Sequence, residues 1–280
     1  MISYTTEGSE HPAHDTICIF TDGAIYDGQS SGSAVIGILN DSQPEPYLEN
    51  IEIYSKYHST STNNVAELTG ILFGLEKAFS KYRNTDEHTY SFLVFSDSEY
   101  AIKSLTEWVF GWYKTYTYER KNGIVVPSMM TKGGTPVKNC ELICAIVSLI
   151  ANNRKNFIDL DFINVKGHTW QKTVDTGIII QMEYYEKANQ CNITKQEATF
   201  IAKYNHIVDR VASNVCSYVM DNGFDINFDD CGDPCMEFVI KGMTFRAYDS
   251  VNDGIKYSDY MVLTKGIMKA YRDILEHKPF

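Results

Sequence analysis

Two strand-forming runs in this chain each stop at an aspartate. The first, over residues 16–21, ends at Asp22, and the second, over residues 90–96, ends at Asp97. Such largely apolar runs are typical of strands that are covered on both faces. A carboxylate at the exit of a buried strand costs desolvation energy unless a cation compensates it. A turn aspartate would explain either acid alone, but two acids at equivalent strand exits favour one shared site.

The order of the predicted elements indicates an α/β fold with a mixed five-stranded sheet between layers of helices. Five segments have the composition of strands: 16–22, 34–39, 51–57, 90–96 and 158–165. Segments with helical periodicity are 65–79, 99–105, 139–153 and 194–219, the last starting with a capping box, and a further helix is expected around 178–189. The first three strands predict an antiparallel meander, with 26–33 as its first turn. The helix that follows brings the strands ending at Asp22 and Asp97 side by side in parallel.

Three further polar residues border apolar elements. Glu67 lies in the first turn of the 65–79 helix, where the helix dipole favours an acid, but it also flanks the buried stripe, where a surface acid is unexpected. Asp209 stands beside the apolar stripe of the 194–219 helix. His168 follows the 158–165 strand; a lone histidine is usually structural, but at a strand exit it is a candidate proton carrier.

A basic, aromatic segment interrupts an otherwise acidic chain. The formal net charge of −11 argues mildly against a nucleic-acid partner. From residue 111 to 140, however, five basic residues stand against one acid. Trp108 and Trp112 lie at the start of this segment, four residues apart as on one side of a helix. Two core tryptophans would be the plain interpretation, but their interleaving with lysine and arginine favours a surface that grips a sugar-phosphate strand.

Taken in order, these motifs resemble those of the type 1 ribonuclease H family. The matching motifs are Asp22-Gly23, Thr62-Asn-Asn-Val-Ala-Glu67-Leu68, Asp97-Ser-Glu-Tyr100, Trp108 with Trp112, Pro136-Val-Lys-Asn139, Lys166-Gly-His168 and Asp209. They occur in the family's order over about 200 residues. The resemblance implies a ribonuclease H-like fold and endonucleolytic cleavage of the RNA strand in RNA/DNA hybrids, with 3′-hydroxyl and 5′-phosphate ends.

The resemblance also implies a metal site. Asp22, Glu67, Asp97 and Asp209 would bind two Mg²⁺ ions, with Mn²⁺ as a possible substitute, since dense carboxylate oxygens suit these hard cations. Asp22 would bridge both ions, Glu67 and Asp97 would hold one, and Asp209 the other. Asp175 is the alternative to Asp209 if the chain returns to the site earlier. His168 would assist water delivery or product release.

Substrate contacts follow from the same resemblance. Asn63, Asn64 and Glu99, with Gly23 and Ser98 beside them, would contact the RNA strand near its 2′-hydroxyl groups. The DNA strand would lie on another set of residues: Trp108, Trp112, Lys114, Lys138 and Asn139. Glu99 departs from the glutamine usual in bacterial members, which could change contacts to RNA.

Three segments lie outside the family pattern or at its limits. Residues 1–15 are expected to be an N-terminal tail, and 16–222 the catalytic domain. Forty residues separate His168 from Asp209, so 169–203 is expected to be an insertion beside the site. Residues 223–280 would form a small α+β accessory domain with a role in structural support or protein contact.

The sequence also allows predictions of where the protein lies in the cell and of which other functions it could have. The start of the chain is not a basic segment followed by an apolar core, no run reaches the length of a membrane span, and seven scattered cysteines show no framework spacing. The protein is therefore expected to be cytoplasmic, or to lie in another nucleic-acid-containing compartment of the host cell, and not to be secreted. The alternatives are a catalytically altered nucleic-acid-binding module on this fold and another nuclease of the superfamily.

Overall fold

A mixed sheet of eight strands forms the central layer of the protein. The structure, a computed structural model, describes residues 12–58, 62–121, 124–170, 174–222, 227–228, 234–240, 243–249 and 262–277. In spatial order the strands are β7 (Asp159–Asn164), β4 (His88–Ser96), β1 (Ala13–Tyr26), β2 (Gln29–Asn40), β3 (Tyr47–His58), β10 (Met243–Asp249), β9 (Pro234–Ile240) and β8 (Asn227–Phe228). A separate hairpin consists of β5 (Thr117–Lys121) and β6 (Ile124–Ser128).

The five predicted strands form one continuous part of this sheet. β1, β2 and β3 are antiparallel neighbours, whereas β1, β4 and β7 run parallel. The prediction of a mixed five-stranded core is therefore confirmed. β10 pairs in parallel with β3 and continues the sheet through β9 and β8. Without β10, the edge of β3 would present unpaired N–H and C=O groups, so the additional strands protect this edge.

Helices cover both faces of the sheet, as the three-layer prediction requires. They are α1 (Asn63–Lys81), α2 (Glu99–Lys103), α3 (Val109–Trp112), α4 (Cys140–Asn152), α5 (Val174–Asn189), α6 (Lys195–Asn222) and α7 (Lys265–Leu275), with a π-helical turn, Ser104–Trp108, between α2 and α3. One apolar cluster joins α1, α4 and α7 to the first face, and another joins α5 and α6 to the second. Within the described ranges, no helix combines the length and the apolar character needed to cross a bilayer.

β1 has no polar alternation because it is buried on both faces. Ile17 and Ile19 belong to the first apolar cluster, whereas Cys18 and Phe20 belong to the second. The Phe20 ring stacks on that of Phe95 in β4 at a centroid distance of 4.4 Å. β1 begins at Ala13, within the segment predicted as a tail, and residues 1–11 lie outside the described ranges.

The prediction that residues 26–33 form a turn is wrong. Only Asp27 and Gly28 form it, with φ angles of 46° and 81°, and β2 already begins at Gln29. Of the buried residues that follow, Gly32 lies on the face of the sheet that α1 covers, whereas Ser31 and Ser33 lie on the opposite face, where Ser33 bonds Ser55. A Cβ atom on Gly32 would stand 2.4 Å from the carbonyl oxygen of Ala66. Small residues that suggest a loop in the sequence thus serve helix packing within a strand.

The C-terminal segment is joined to both sides of this fold. Besides the strands β8–β10, it supplies α7, whose Tyr271 is fully buried and donates its hydroxyl hydrogen to the carbonyl oxygen of Leu105 at 3.1 Å. His277, just after α7, lies 2.7 Å from Asp159 and 3.3 Å from Asp161. The domain boundary at 222/223 stays a prediction, as do the limits of the 169–203 insertion.

We predict that Tyr271→Phe lowers the stability of the full-length protein. The variant keeps the ring but removes the side-chain hydroxyl donor of Tyr271, which leaves a buried carbonyl oxygen at Leu105 without this hydrogen bond. The expected loss in the free energy of unfolding is about 1–3 kcal/mol, measured by chemical denaturation. Tyr26→Phe, at a side chain that is 52% exposed, is the control. Equal stability of wild type and Tyr271→Phe would contradict the prediction.

Candidate active site

Asp22, Glu67 and Asp97 form one acidic cluster. Each offers a carboxylate oxygen, and these three atoms all lie within 4.8 Å of one another. Asp22 and Asp97 meet because β1 and β4 run parallel with Thr21 beside Ser96, so that the two strand exits coincide. The pairing of the two strand exits, predicted from the sequence, is what brings these acids together.

The close approach of α1 to β1 supplies the third acid. A Cβ atom on Gly23 would stand 2.4 Å from the backbone nitrogen of Glu67. Because this contact is with backbone, only glycine allows the helix to sit so near the strand. The Gly23 N–H also donates to Asp22 Oδ1 at 2.8 Å. Gly23 therefore shapes the acidic cluster, in addition to the substrate contact predicted for it.

The acidic cluster is electrostatically strained without a cation. Burial, together with the charges of neighbouring acids, raises the pKa of Asp22 and of Glu67 well above the ordinary range, and burial also raises the pKa of Asp97. Glu67 is only 4% exposed, and its Oε2 atom has no hydrogen-bond partner among the described residues. Buried carboxylate oxygens that lack partners and repel one another fit a divalent cation.

Asp209 and His168 lie at the border of the acidic cluster. The charge of Asp209 contributes, after burial, to the raised pKa of Asp22 and also raises the pKa of Asp97. Asp209 Oδ2 lies 3.9 Å from His168 Nδ1, and the His168 side chain is exposed. His168 in turn lowers the pKa of Asp97, against the larger effect of burial. The structure thus brings both predicted residues to the site.

Asp175, the alternative fourth acid, lies elsewhere. It is exposed in the first turn of α5 and pairs with Lys195 at 2.9 Å. It is not among the charges that shift the pKa values of Asp22, Glu67 or Asp97. The geometry therefore favours Asp209 over Asp175.

Asn205 and Gly167 contribute to the site but were not predicted from the sequence. Asn205, one turn before Asp209 in α6, is 2% exposed, and a hydrogen bond from its side chain lowers the pKa of Asp97, against the larger effect of burial. A Cβ atom on Gly167 would stand 2.1 Å from Asp97 Oδ2. In the sequence, an asparagine within the buried stripe of α6 was the signal that could have revealed Asn205, since buried amides need a partner.

The residues predicted to hold a DNA strand lie on a connected surface. The rings of Trp108 and Trp112 have centroids 5.7 Å apart, and Tyr100 packs edge-on against Trp108. The Tyr100 hydroxyl donates to the carbonyl oxygen of Lys138 at 3.2 Å and accepts from Asn139 Nδ2 at 3.3 Å. Lys114 and Lys138 are exposed. Tyr100, for which no separate role was predicted, therefore links the tryptophans to the Pro136–Asn139 motif.

The residues predicted to contact RNA surround the acidic cluster on the α1 and α2 side. Asn63 Nδ2 donates to Glu67 Oε1 at 3.5 Å, and Asn64 is half-buried beside it. Ser98 caps α2 by accepting from the Ala101 N–H at 3.3 Å. Glu99 is exposed and pairs with Lys103 at 2.6 Å, so its charge is partly neutralised by its own helix.

The sequence comparisons point to a single family. Residues 14–217 match the family model described as RNase H. A ribonuclease H of Lachnoclostridium phytofermentans is 30% identical over 153 residues, which are 54% of this chain and 80% of the relative. A ribonuclease H of Polynucleobacter asymbioticus is 28% identical over 161 residues, 57% of this chain and 84% of the relative. Ribonuclease HI of Haemophilus influenzae is 27% identical over 139 residues, 50% of this chain and 73% of the relative.

Two crystal structures illustrate the structural similarity. LC9-RNase H1, described as a type 1 RNase H with the type 2 active-site motif, is 12% identical, with a TM-score of 0.45 over 96% of this chain and 90% of the other. LC11-RNase H1 in complex with RNA/DNA hybrid is 18% identical, with a TM-score of 0.33 over 62% of this chain and 91% of the other.

We predict that Glu67→Gln stabilises the metal-free protein in a pH-dependent way. The folded form binds the Glu67 proton more tightly than the unfolded chain, so stability falls as the pH rises from the ordinary value of 4.5 through the raised pKa. Glutamine removes this loss. In chelator at about pH 8, the substitution should raise the free energy of unfolding by roughly 0.5–2 kcal/mol. This gain should become smaller as the pH is lowered toward the ordinary pKa of 4.5.

Chemical denaturation at several pH values measures this effect. Glu45→Gln, at an exposed position between β2 and β3, is the matched control and should change stability little at any pH. A Glu67→Gln variant that is less stable than wild type at the higher pH, or whose gain does not vary with pH, would contradict the electrostatic account.

Proposed function

The chain belongs to the ribonuclease H family, and from this premise we propose that it hydrolyses the RNA strand of RNA/DNA hybrids with two bound Mg²⁺ ions. The products would carry 3′-hydroxyl and 5′-phosphate ends, and Mn²⁺ would be able to replace Mg²⁺. The observation that carries the proposal is the acidic cluster: three carboxylates, two of them nearly inaccessible, meet within 4.8 Å. Such a group is costly unless cations neutralise it.

Each carboxylate has a distinct part in holding these cations. Asp22 would help to hold both ions, together with Glu67 and Asp97 for one ion and with Asp209 for the other. Bound divalent ions supply an activated water and stabilise the leaving oxygen in phosphoryl transfer. The chain itself fixes the carboxylates beforehand, since the Gly23 N–H holds Asp22 and the Asn205 side chain holds Asp97.

His168 is proposed to act beside the metal positions rather than as a ligand. Its ring is exposed and its Nδ1 atom lies 3.9 Å from Asp209 Oδ2. An exposed imidazole at this position can contact both solvent water and a substrate bound at the acidic cluster. We assign to His168 the delivery of water or the release of product at the Asp209 side of the site.

The two strands of the substrate are proposed to lie on different surfaces. Asn63, Asn64, Ser98 and Glu99, with Gly23, border the acidic cluster, where the strand that is cut must lie, and would contact 2′-hydroxyl groups that only RNA carries. The second strand, which is DNA, would lie on the tryptophans and on the basic residues near them: Trp108, Trp112, Lys114, Lys138 and Asn139. Phosphate and sugar contacts of this kind give little sequence preference.

A catalytically altered nucleic-acid-binding module is the second candidate, and the acids present at the site argue against it. Such a protein would be expected to lack one or more of the acids, yet Asp22, Glu67, Asp97 and Asp209 are all present and adjacent. A different nuclease of the superfamily would share the acids but would not need the surface formed by Trp108 and Trp112.

We predict that Asp97→Asn abolishes cleavage while binding survives. The substitution keeps the side-chain shape but removes the charge needed beside the metal positions, and the rate should fall by at least about 100-fold. Digestion of a labelled RNA/DNA hybrid, duplex RNA and duplex DNA in Mg²⁺ should show cleavage of the hybrid only, and a filter-binding assay should show that the variant still binds it.

Asp86→Asn, at an exposed loop position before β4, is the matched control and should cut at the wild-type rate. Undiminished turnover by Asp97→Asn would refute the assignment of the site. Cleavage of duplex DNA by the wild-type protein at the rate of the hybrid would refute the assignment of the substrate.

We also predict that Trp108→Ala combined with Lys138→Ala weakens hybrid binding and lowers its salt dependence. Each phosphate contact that is lost should reduce the slope of log K against log salt by about 1. Lys155→Ala, at an exposed position before β7 and at the opposite end of that strand from the site, should leave the slope unchanged. A double variant with the wild-type slope would remove this surface from the proposed interface.

A further inference from the structure

Side chains of α5 hold the segment that carries His168 through hydrogen bonds. This histidine loop, residues 165–169, follows β7, which is the last strand at its side of the sheet. An edge strand leaves every second N–H and C=O group unpaired on its outer side. Val165 N–H points inward and donates to the carbonyl oxygen of Ser96, so the backbone groups of Asn164 and Lys166 point outward. Both of these residues are met by side chains from α5.

Asn189 takes the place of a neighbouring strand at Asn164. Its Nδ2 atom donates to the Asn164 carbonyl oxygen at 2.8 Å, and its Oδ1 atom accepts from the Asn164 N–H at 3.1 Å. Tyr184 donates its hydroxyl hydrogen to Asn164 Oδ1. The exit of β7 is therefore held by two residues of α5 before the histidine loop begins.

Gln181 holds the loop itself. Its side chain is fully buried, and its Oε1 atom accepts from the Lys166 N–H at 3.2 Å and from Thr169 Oγ1 at 3.5 Å. These two bonds fix the loop on either side of Gly167 and His168. Lys166 Nζ also lies 5.4 Å from the ring centroid of Tyr184, which adds a third contact to the same helix.

The loop is held where its position matters for the site. Gly167 lies so near Asp97 that a Cβ atom would stand 2.1 Å from Oδ2, and His168 has a left-handed backbone with φ of 58°. A non-glycine residue rarely adopts this conformation unless its surroundings impose it. The bonds from Gln181 on both sides supply that constraint.

From these contacts we infer that α5 holds the histidine loop in a fixed position and that Gln181 is a positioning residue, which acts through His168. The inference rests on the proposed function for its catalytic consequence. Ordering a residue costs backbone entropy, and a loop that is already ordered does not lose this entropy during the reaction. Gln181 thus contributes to turnover rather than to hybrid binding.

The first test is hydrogen exchange in the full-length protein, which does not depend on activity. Gln181→Met keeps the length of the side chain but cannot accept the two hydrogen bonds, so peptides covering the histidine loop should exchange faster than in wild type. Thr169→Val, which removes only the hydroxyl donor, is a milder variant if Gln181→Met folds poorly. Gln196→Met, exposed in the first turn of α6, is the control. If the histidine loop exchanged at the wild-type rate in both Gln181→Met and Thr169→Val, the inference that α5 holds the loop would be wrong.

The second test is a double-mutant cycle with His168→Ala, assayed on hybrid in Mg²⁺. Gln181→Met should lower kcat roughly 3- to 10-fold with little change in KM, and it should have no further effect once His168 is absent. Full additivity of the two substitutions, or an effect on KM alone, would overturn the positioning role. If the wild-type protein does not cut the hybrid, the proposed function fails, whereas the exchange experiment still decides whether α5 holds the loop.

Discussion

Repulsion among Asp22, Glu67 and Asp97 is the interaction on which the site depends. Three carboxylates lie within 4.8 Å, and burial, together with the charges of neighbouring acids that include Asp209, raises their pKa values. In the described part of the chain, the groups that oppose this shift are the backbone N–H groups of Gly23 and Asp97 and the side chains of Asn63, Asn205 and His168, and none is a lysine or arginine. The fold therefore tolerates a local cost that divalent cations would remove, which is how stability and activity come into conflict at such sites.

The rest of the structure can be understood as what keeps these acids together. Parallel pairing of β1 and β4 aligns two of them, and glycine contacts let α1 bring the third. α6 adds Asp209 and Asn205 from the opposite face of the sheet. The C-terminal segment extends the sheet beyond β3 and packs α7 beside the π-helical turn that precedes Trp112. The packing of α7 thus both stabilises the fold and supports the helix that carries Trp112.

Local patterns were enough to predict the strand exits and the five-stranded core, because strand burial and helix periodicity are written in neighbouring residues. They failed at residues 26–33, where Gly32 packs under α1 and the neighbouring serines are buried within a strand instead of forming a loop. They also gave no sign of Gln181 or Tyr271, since each bonds a backbone group outside its own helix. The pairing of β10 with β3 is equally non-local, and neither strand carries a signal for its partner.

The most direct test of the electrostatic account is anomalous scattering from crystals grown with Mn²⁺. The account predicts two manganese peaks, one coordinated by Asp22, Glu67 and Asp97 and the other by Asp22 and Asp209. Crystals that contain Mn²⁺ elsewhere but none at these carboxylates, or that show the acids turned away from one another, would contradict it.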